Sequence, residues 1–209
     1  MGKMTEKIIK MNYMNQSGRW PTGCESVSAV MVLNHLGIDI SVDEFIEKYI
    51  PCRPFECVNG VTYGADPYVA FAGSPYDENA FGCYAPVIVS AFERVFKDYE
   101  KSFSAVDVSG VPVDILIEKY VDVGMPVVFW ACIDMKPPVF GPSWRLFSDG
   151  SEFTWTSNEH CMVLAGADEE KYYFYDPWEN HGLIGWERAL VVKRHSAQKS
   201  MAVAVCCDC

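Results

Sequence analysis

The stretch PTGCESVSAVMVLNHLG, residues 21–37, predicts a helix that begins at a cysteine. A Pro-Thr-Gly turn precedes Cys24, apolar residues then recur at helical spacing, and Gly37 ends the pattern. A thiol at a helix N-terminus lies at the positive end of the helix dipole, which favours the thiolate, the nucleophilic form of cysteine. Cys24 is therefore a candidate nucleophile, and the alternative is a structural cysteine at a helix start.

Three further residues supply the partners that a catalytic thiol needs. His160 begins one predicted strand and Asp176 ends the next, so an antiparallel hairpin brings both side chains to the same edge. A carboxylate that holds one imidazole nitrogen leaves the other nitrogen for the thiol. Gln16 precedes Cys24 and can donate its amide to an oxyanion, together with the backbone N–H of Cys24. The order Gln, Cys, His, Asp is more specific than any of the four residues alone.

Helical patterns dominate the first half of the chain and strand patterns the second. Helices are predicted at 22–36, from Ser41 with a capping box to Glu44, at 86–96 and at 112–123. Strands are predicted at 126–133, 160–166, 171–176 and 201–206. This order predicts an α+β fold with an N-terminal helical half packed on a C-terminal antiparallel sheet. We expect one domain over residues 1–209, with residues 1–14 as a candidate flexible N-terminal segment.

Composition excludes several classes of protein. The 209 residues are 50% hydrophobic and 14% aromatic, which excludes intrinsic disorder as the main state. The net charge of −11 disfavours nucleic acids and anionic membrane surfaces as partners. No apolar run is long enough to span a membrane, so no membrane insertion is expected.

The expected location is cytoplasmic, or secreted or surface-anchored if an N-terminal signal was removed. Nine scattered cysteines favour reduced thiols over a disulfide framework.

The short sequence motifs around these residues resemble those of the bacterial peptidase family C-39-like proteins, which are similar to bacteriocin-processing peptidases. The matching segments are Gln16, PTGCESVSAVMVLNHLGI from residue 21, FGCYAPVI at 81–88, EHCMVLAGAD at 159–168 and YYFYDP at 172–177. The resemblance runs from about Asn15 to the end of the chain. It implies a papain-like cysteine peptidase fold.

Carried over residue by residue, the resemblance implies a role for each of the four candidates. Cys24 would be the nucleophile, His160 the general base and then acid, Asp176 the residue that orients it, and Gln16 the oxyanion donor. Relatives fused to transporters carry membrane and ATPase parts, and this sequence shows neither, which argues against an expected role in bacteriocin export.

Three functions remain open from the sequence. The first is hydrolysis of a peptide or amide substrate through a thioester. The second is an acyl or amide transferase that uses the same triad, because a thioester can react with an amine instead of water. The third is a non-catalytic binding module on a peptidase fold. We expect no cofactor and no metal at the site, and the sequence does not predict the oligomeric state.

Several neighbouring residues have two interpretations. Cys83 also precedes a helix and is the rival nucleophile, although no glutamine like Gln16 precedes it. Glu25 can point into the cleft or stabilise the first helical turn. Glu159 is expected to face solvent, because neighbours on a strand face opposite sides. Trp178 can cover the His–Asp pair or pack in the core.

The remaining candidates lie farther from the predicted triad. The segment 51–83 can form one wall of the substrate cleft or a packed surface loop. The aromatic cluster before His160 can line the other wall or belong mainly to the core. Cys206, Cys207 and Cys209 lack the spacing of a zinc site. His181 is expected at the surface, and no partner is predicted for His35 or His195.

Overall fold

Helices and strands are largely segregated along the chain, and the computed structural model describes them over residues 7–207. The helices are α1 (Cys24–His35), α2 (Val42–Tyr49), α3 (Ala85–Asp98), α4 (Val113–Lys119) and α5 (Arg188–Ala197). The strands are β1 (Lys7–Ile8), β2 (Cys52–Arg53), β3 (Glu56–Val58), β4 (Val61–Gly64), β5 (Phe71–Ala72), β6 (Phe103–Asp107), β7 (Val127–Cys132), β8 (Phe140–Leu146), β9 (Glu152–Thr156), β10 (Glu159–Ala167), β11 (Lys171–Asp176), β12 (Gly182–Glu187) and β13 (Ala202–Cys207). The predicted α+β class is confirmed.

A seven-stranded antiparallel sheet contains five strands from the C-terminal half of the chain, together with β1 from the N-terminal half and β6 from the middle of the chain. Its strand order is β12-β11-β10-β7-β13-β6, and β1 pairs with the far end of β10. Every residue of β7 and β10 is buried. Helix α1 packs against these two strands and α5 packs against β7. A strand that is buried on both faces has a nearly continuous run of apolar residues, which is why β7 was recognisable from its sequence.

Helix α1 is the central helix of the N-terminal half. Its residues from Cys24 to Leu33 are all buried, so it lacks the polar face of a surface helix. Its serines lie in the core as well, and the Ser28 hydroxyl donates to the Cys161 carbonyl of β10 at 3.1 Å. This bond ties the helix that carries Cys24 to the strand that carries His160.

The segment 51–83 is not a bare loop but folds into short strands beside the main sheet. Strands β3 and β4 join β8 and β9 in a four-stranded sheet, and β2 pairs with β5. Aromatic side chains fill the space under this sheet, where the Phe55 and Trp144 rings meet edge to face at 5.1 Å. Trp144 and Trp155 are buried, so the aromatic cluster belongs mainly to the core.

The described start of the N-terminal segment pairs with the main sheet. Lys7 and Ile8 pair with β10, the backbone N–H of Ile9 donates to the Ala165 carbonyl at 2.8 Å, and Ile9 is buried. Residues 1–6 of the expected flexible segment 1–14 lie outside the described residues. Within residues 7–207 no helix combines the length and the apolar character needed to cross a bilayer.

His195 on α5 is a buried histidine that contacts the backbone of β7. Its Nδ1 lies 2.7 Å from the Trp130 carbonyl, its ring stacks on Phe129, and Nε2 has no partner among the described residues 7–207. Because burial disfavours the charged ring, the pKa of His195 is lowered to about 4. The folded protein therefore holds a neutral imidazole where the unfolded chain would take up a proton.

This histidine predicts a loss of stability in mild acid. The unfolded His195 binds a proton below its ordinary pKa of about 6.5, whereas the folded one does so only below about 4, so its contribution is present above pH 6.5 and lost as the pH falls. We expect the free energy of unfolding to fall by about 2 kcal/mol more between pH 7 and pH 5 in the wild type than in His195→Gln. Urea unfolding at both pH values measures this. Parallel losses in the two proteins would contradict it.

Candidate active site

Cys24 is the first residue of α1, and a tight turn sets its position. The backbone N–H of Trp20 donates to the Gln16 carbonyl, and that of Gly23 donates to the Trp20 carbonyl. A Cβ at Gly23 would lie 2.9 Å from the Cβ of Trp20, so this turn requires glycine. The first N–H groups of a helix have no acceptor within it, which leaves the Cys24 N–H available to a ligand.

His160 and Asp176 meet as the strand register requires. Val163 pairs with Tyr175 in β10–β11, and one more step places Asp176 two residues from His160 along the sheet. Residues two apart project from the same face of a strand. His160 Nε2 lies 2.6 Å from Asp176 Oδ1, and both side chains are almost fully buried. The imidazole Nδ1 is thereby left as the nitrogen available to a thiol.

Asp176 is held by more than His160. Its Oδ1 accepts the Trp178 N–H at 2.9 Å, and its Oδ2 lies 2.9 Å from His181 Nδ1. Burial by itself would raise the pKa of Asp176, but the charge and hydrogen bonds of His160, with those of His181 and Trp178, hold it below its ordinary value. Asp176 is therefore a carboxylate at neutral pH, and Trp178 also places its ring edge to face against His160 at 6.0 Å.

His181 was missed as a partner of the site. The sequence placed it at the surface, whereas its ring is about three-quarters buried and lies between Asp176 and Asp134. The available signal was its distance of five residues from Asp176, across the short turn that follows β11.

Gln16 lies in the same cleft, almost fully buried. Its backbone N–H donates to the Pro177 carbonyl, which ties the turn before α1 to the end of β11. The side-chain Nε2 donates to the Pro21 carbonyl at 3.0 Å, and its second N–H remains available.

The Cys24 thiol is paired with a carboxyl group and not with the imidazole. Its Sγ lies 3.3 Å from Glu25 Oε2, and among the hydrogen bonds of residues 7–207 none joins Cys24 to His160. Glu25 is fully buried, and its Oε1 accepts the Cys83 N–H at 2.7 Å. A Cβ at Gly82 would collide with Glu25 Oε1, so the FGCYAP motif contains the glycine that the contact between Glu25 and Cys83 needs.

This pairing overturns the expectation that the helix dipole favours a Cys24 thiolate. Burial raises the pKa of Cys24 well above its ordinary value, and the neighbouring Glu25 and Glu159 raise it further. Desolvation and two carboxyl groups outweigh the dipole of one helix turn. Burial also raises the pKa of Glu25 to about 7, so near neutral pH this carboxyl group holds a proton in part of the molecules.

Glu159 was expected to face solvent, and this is wrong. Only 7% of the residue is exposed, because β10 is covered on both faces and its alternating side chains have no solvent side. Burial and the nearby Glu25 raise the pKa of Glu159 well above its ordinary value. In the part of the chain that the structure describes, its Oε1 has no hydrogen-bond partner.

One cleft of about 360 Å³ brings Gln16, Cys24 and His160 together, and Asp176 contacts His160 from outside its lining. It is lined by Gln16, Pro21, Thr22, Cys24, Glu78, Asn79, Ala80, Phe81, Ile133, Pro142, Trp155, Ser157, Glu159, His160 and Trp178. Residues 78–81 make the segment 51–83 one wall, as one of the two interpretations expected. Cys83 is fully buried outside this lining, and burial raises the pKa of its thiol, so it is poorly placed as a nucleophile.

Comparison with protein families gives one match over most of the chain. The model described as "Peptidase_C39 like family" matches residues 8–198. The uncharacterized protein YvpB of Bacillus subtilis (strain 168) is 23% identical over 171 residues, which are 82% of this chain. The chain spans 64% of the length of that curated relative.

Solved structures share the fold. A protein assigned as a C39-like peptidase from Bacillus anthracis superposes with a TM-score of 0.81 at 24% identity, covering 97% of this chain and 98% of that one. A double glycine motif protease from an AMS/PCAT transporter, solved with its leader peptide, gives a TM-score of 0.50 at 12% identity, covering 98% of this chain and 96% of that one. At these identities the likeness concerns the fold alone.

Proposed function

The chain belongs to the Peptidase_C39 like family, and from that premise we propose that it is a cysteine peptidase or amidase that works through a thioester. One observation carries the proposal: a single cleft is lined by a cysteine at a helix start, a histidine bonded to a carboxylate, and a glutamine amide. A nucleophile, an oriented base and an oxyanion donor are the parts that acyl transfer needs.

Each residue has one task in the proposed reaction. The Cys24 sulfur forms a bond to the substrate carbonyl carbon while its proton passes to His160 Nδ1. The Gln16 amide and the Cys24 backbone N–H stabilise the oxyanion. His160 then protonates the leaving amine as the C–N bond breaks. A water molecule, deprotonated by His160, attacks the thioester and releases the acid and the free thiol.

Asp176 supports His160 in this scheme without touching the substrate. Its bond to Nε2 fixes the tautomer that presents Nδ1, and its negative charge stabilises the imidazolium formed during attack. Trp178 and His181 keep Asp176 in place, so they act as positioning residues.

The thiol must leave Glu25 before it can react. Hydrogen bonds between catalytic groups often form only when substrate is bound, so the pairing of Cys24 with Glu25 describes the resting protein. We propose that substrate binding turns the thiol from Glu25 towards His160. The same pairing also favours the third function, a binding module whose thiol stays inert, and the experiment below separates it from a peptidase.

A peptide library tests the proposal. Wild-type protein and Cys24→Ala are incubated with mixed peptides, products are read by mass spectrometry, and peptides that carry a thiol-reactive group are added in parallel. We expect cleavage and an adduct on Cys24 only in the wild type. Peptides joined to an added amine, in place of hydrolysis, would indicate a transferase. Neither cleavage nor adduct would contradict the proposal and favour the binding module.

A further inference from the structure

Beside the nucleophile lies a cluster of three potential ligands that the proposed reaction does not use together. Cys24 Sγ, a carboxylate oxygen of Glu25 and a carboxylate oxygen of Glu159 all lie within 4.8 Å of one another. All three residues are buried. Two carboxyl groups in a buried site repel one another once both are charged, so the cluster favours a positive charge among them.

The cluster has an unused ligand atom. Glu159 Oε1 is buried and has no hydrogen-bond partner within residues 7–207, while Glu25 already accepts hydrogen bonds with both oxygens. A buried carboxyl oxygen without a partner is costly, and a bound cation would remove that cost. Cys24 and Glu159 line the cleft, which gives an ion a path to the cluster.

The donor set selects the kind of cation. Thiolate and carboxylate together are ligands of Zn²⁺, whereas Mg²⁺ and Ca²⁺ take oxygen ligands alone. The Cys24–Glu25 separation of 3.3 Å is near the ligand-to-ligand spacing of a tetrahedral zinc site. A lysine side chain of a substrate could not approach the fully buried Glu25 as closely as a bare ion can.

We propose that Cys24, Glu25 and Glu159 bind a zinc-type divalent cation that reversibly blocks the nucleophile. On binding, a Zn–S bond forms as the S–H bond of Cys24 is lost, and protons from the thiol and from the carboxyl groups pass to solvent. A water molecule takes the fourth position. The ion occupies the sulfur lone pair that would attack a substrate, so the metal-bound protein is inactive.

Zinc binding does not depend on catalysis, but the inhibition rests on the proposed function. The test therefore measures the alkylation rate of the Cys24 thiol and not the peptidase activity. Cys24 is alkylated with iodoacetamide with and without Zn²⁺, and labelling is followed by peptide mass spectrometry, which resolves Cys24 from the other cysteines. A protein with no peptidase activity would still report on the metal site.

Glu159→Gln is the main variant, and Glu78→Gln is its matched control because Glu78 lines the same cleft outside the cluster. Within each protein the labelling rate without Zn²⁺ is divided by the rate with Zn²⁺. We expect Zn²⁺ to slow labelling roughly tenfold or more in the wild type and in Glu78→Gln, and to have little effect in Glu159→Gln. EDTA should restore the rate.

Two outcomes would overturn the proposal. The first is no protection in the wild type. The second is protection that persists in Glu159→Gln but is lost in His160→Ala, which would place the ion between the thiol and the imidazole instead.

A second measurement does not depend on the folding of Glu159→Gln. Serine replaces the exposed Cys52 and Cys57 and the C-terminal Cys206, Cys207 and Cys209, which would compete for the ion. The protein then receives less than one equivalent of Zn²⁺. X-ray absorption at the zinc edge should then show one sulfur ligand at about 2.3 Å, with the rest oxygen. Two or more sulfur ligands, or a pattern of imidazole scattering, would overturn the assignment.

Discussion

Cys24→Ala is expected to lower the rate of peptide hydrolysis by about 10⁴-fold or more, which is the largest single effect in this protein. The thioester route is lost with the sulfur, and what remains is the binding of substrate and the oxyanion donors. Initial rates with a peptide selected from the library measure the effect. The substitution removes one sulfur from a buried position, so a melting curve close to that of the wild type should accompany the loss.

Cys83→Ala is the matched control for this loss. Cys83 is the rival nucleophile from sequence, is as buried as Cys24, and contacts the same Glu25 carboxyl through its backbone N–H, which alanine retains. We expect its rate to stay within a few-fold of the wild type. Loss of activity in Cys83→Ala with survival in Cys24→Ala would reverse the assignment.

Asp176→Ala is expected to lower kcat by roughly 10²–10³-fold while KM changes little. The substitution removes the acceptor that fixes His160 Nε2 and the charge that stabilises the imidazolium, but neither effect concerns substrate binding. Steady-state kinetics give both constants. Asp176→Asn should recover part of the loss, because an amide oxygen still accepts the Nε2 hydrogen but carries no charge.

A purely structural role for Asp176 predicts a different pattern. Both variants would then lose activity only in proportion to the fraction unfolded, and kcat per folded molecule would stay constant. His181→Gln provides a comparison, because it removes the imidazole partner of Asp176 and leaves the bond to His160 intact. We expect a smaller loss for this variant than for Asp176→Ala, because the carboxylate and its bond to His160 remain. A larger loss than in Asp176→Ala would contradict the ordering of these roles.

The helix that carries Cys24 and the hairpin that carries His160 and Asp176 were both predictable from the sequence. The α1 pattern lies between a glycine turn and Gly37, and the structure places the helix at Cys24–His35. Strands β10 and β11 are joined by a short turn, but a bulge between Leu164 and Gly166 shifts their register by one residue. Without this shift Asp176 would lie opposite Val163 and face away from His160, so the hairpin was predictable and the register that joins the pair was not.

The carboxyl groups around the thiol were not predictable in the same way. Glu159 follows the alternation of its strand, but a sheet covered on both faces has no solvent side, and that depends on α1 and α5 packing from elsewhere in the chain. The Glu25 contact depends on Gly82, which is 57 residues away in sequence. Such long-range burial decides the pKa of Cys24, and the helix dipole does not.

Two kinds of element were missed for local reasons. Helix α5 begins after Glu187, whose side chain accepts the N–H groups of Ala189 and Leu190, and glutamate is not a usual residue at this helix position. Strand β8 has mostly exposed residues, so it lacks the apolar alternation that marks a half-buried strand, and its partner β9 has only five residues.

The central claim is that the Cys24 thiol transfers its proton to His160 when it reacts, although in the resting protein the thiol is hydrogen-bonded to Glu25. The most direct measurement is the rate at which a peptide carrying a thiol-reactive group modifies Cys24 as a function of pH, read by peptide mass spectrometry in the wild type and in His160→Ala. We expect modification at pH 6 to be at least about tenfold faster in the wild type, because the bound peptide turns the thiol towards the imidazole, which accepts its proton. Identical profiles that follow only the titration of an isolated buried thiol would contradict the claim.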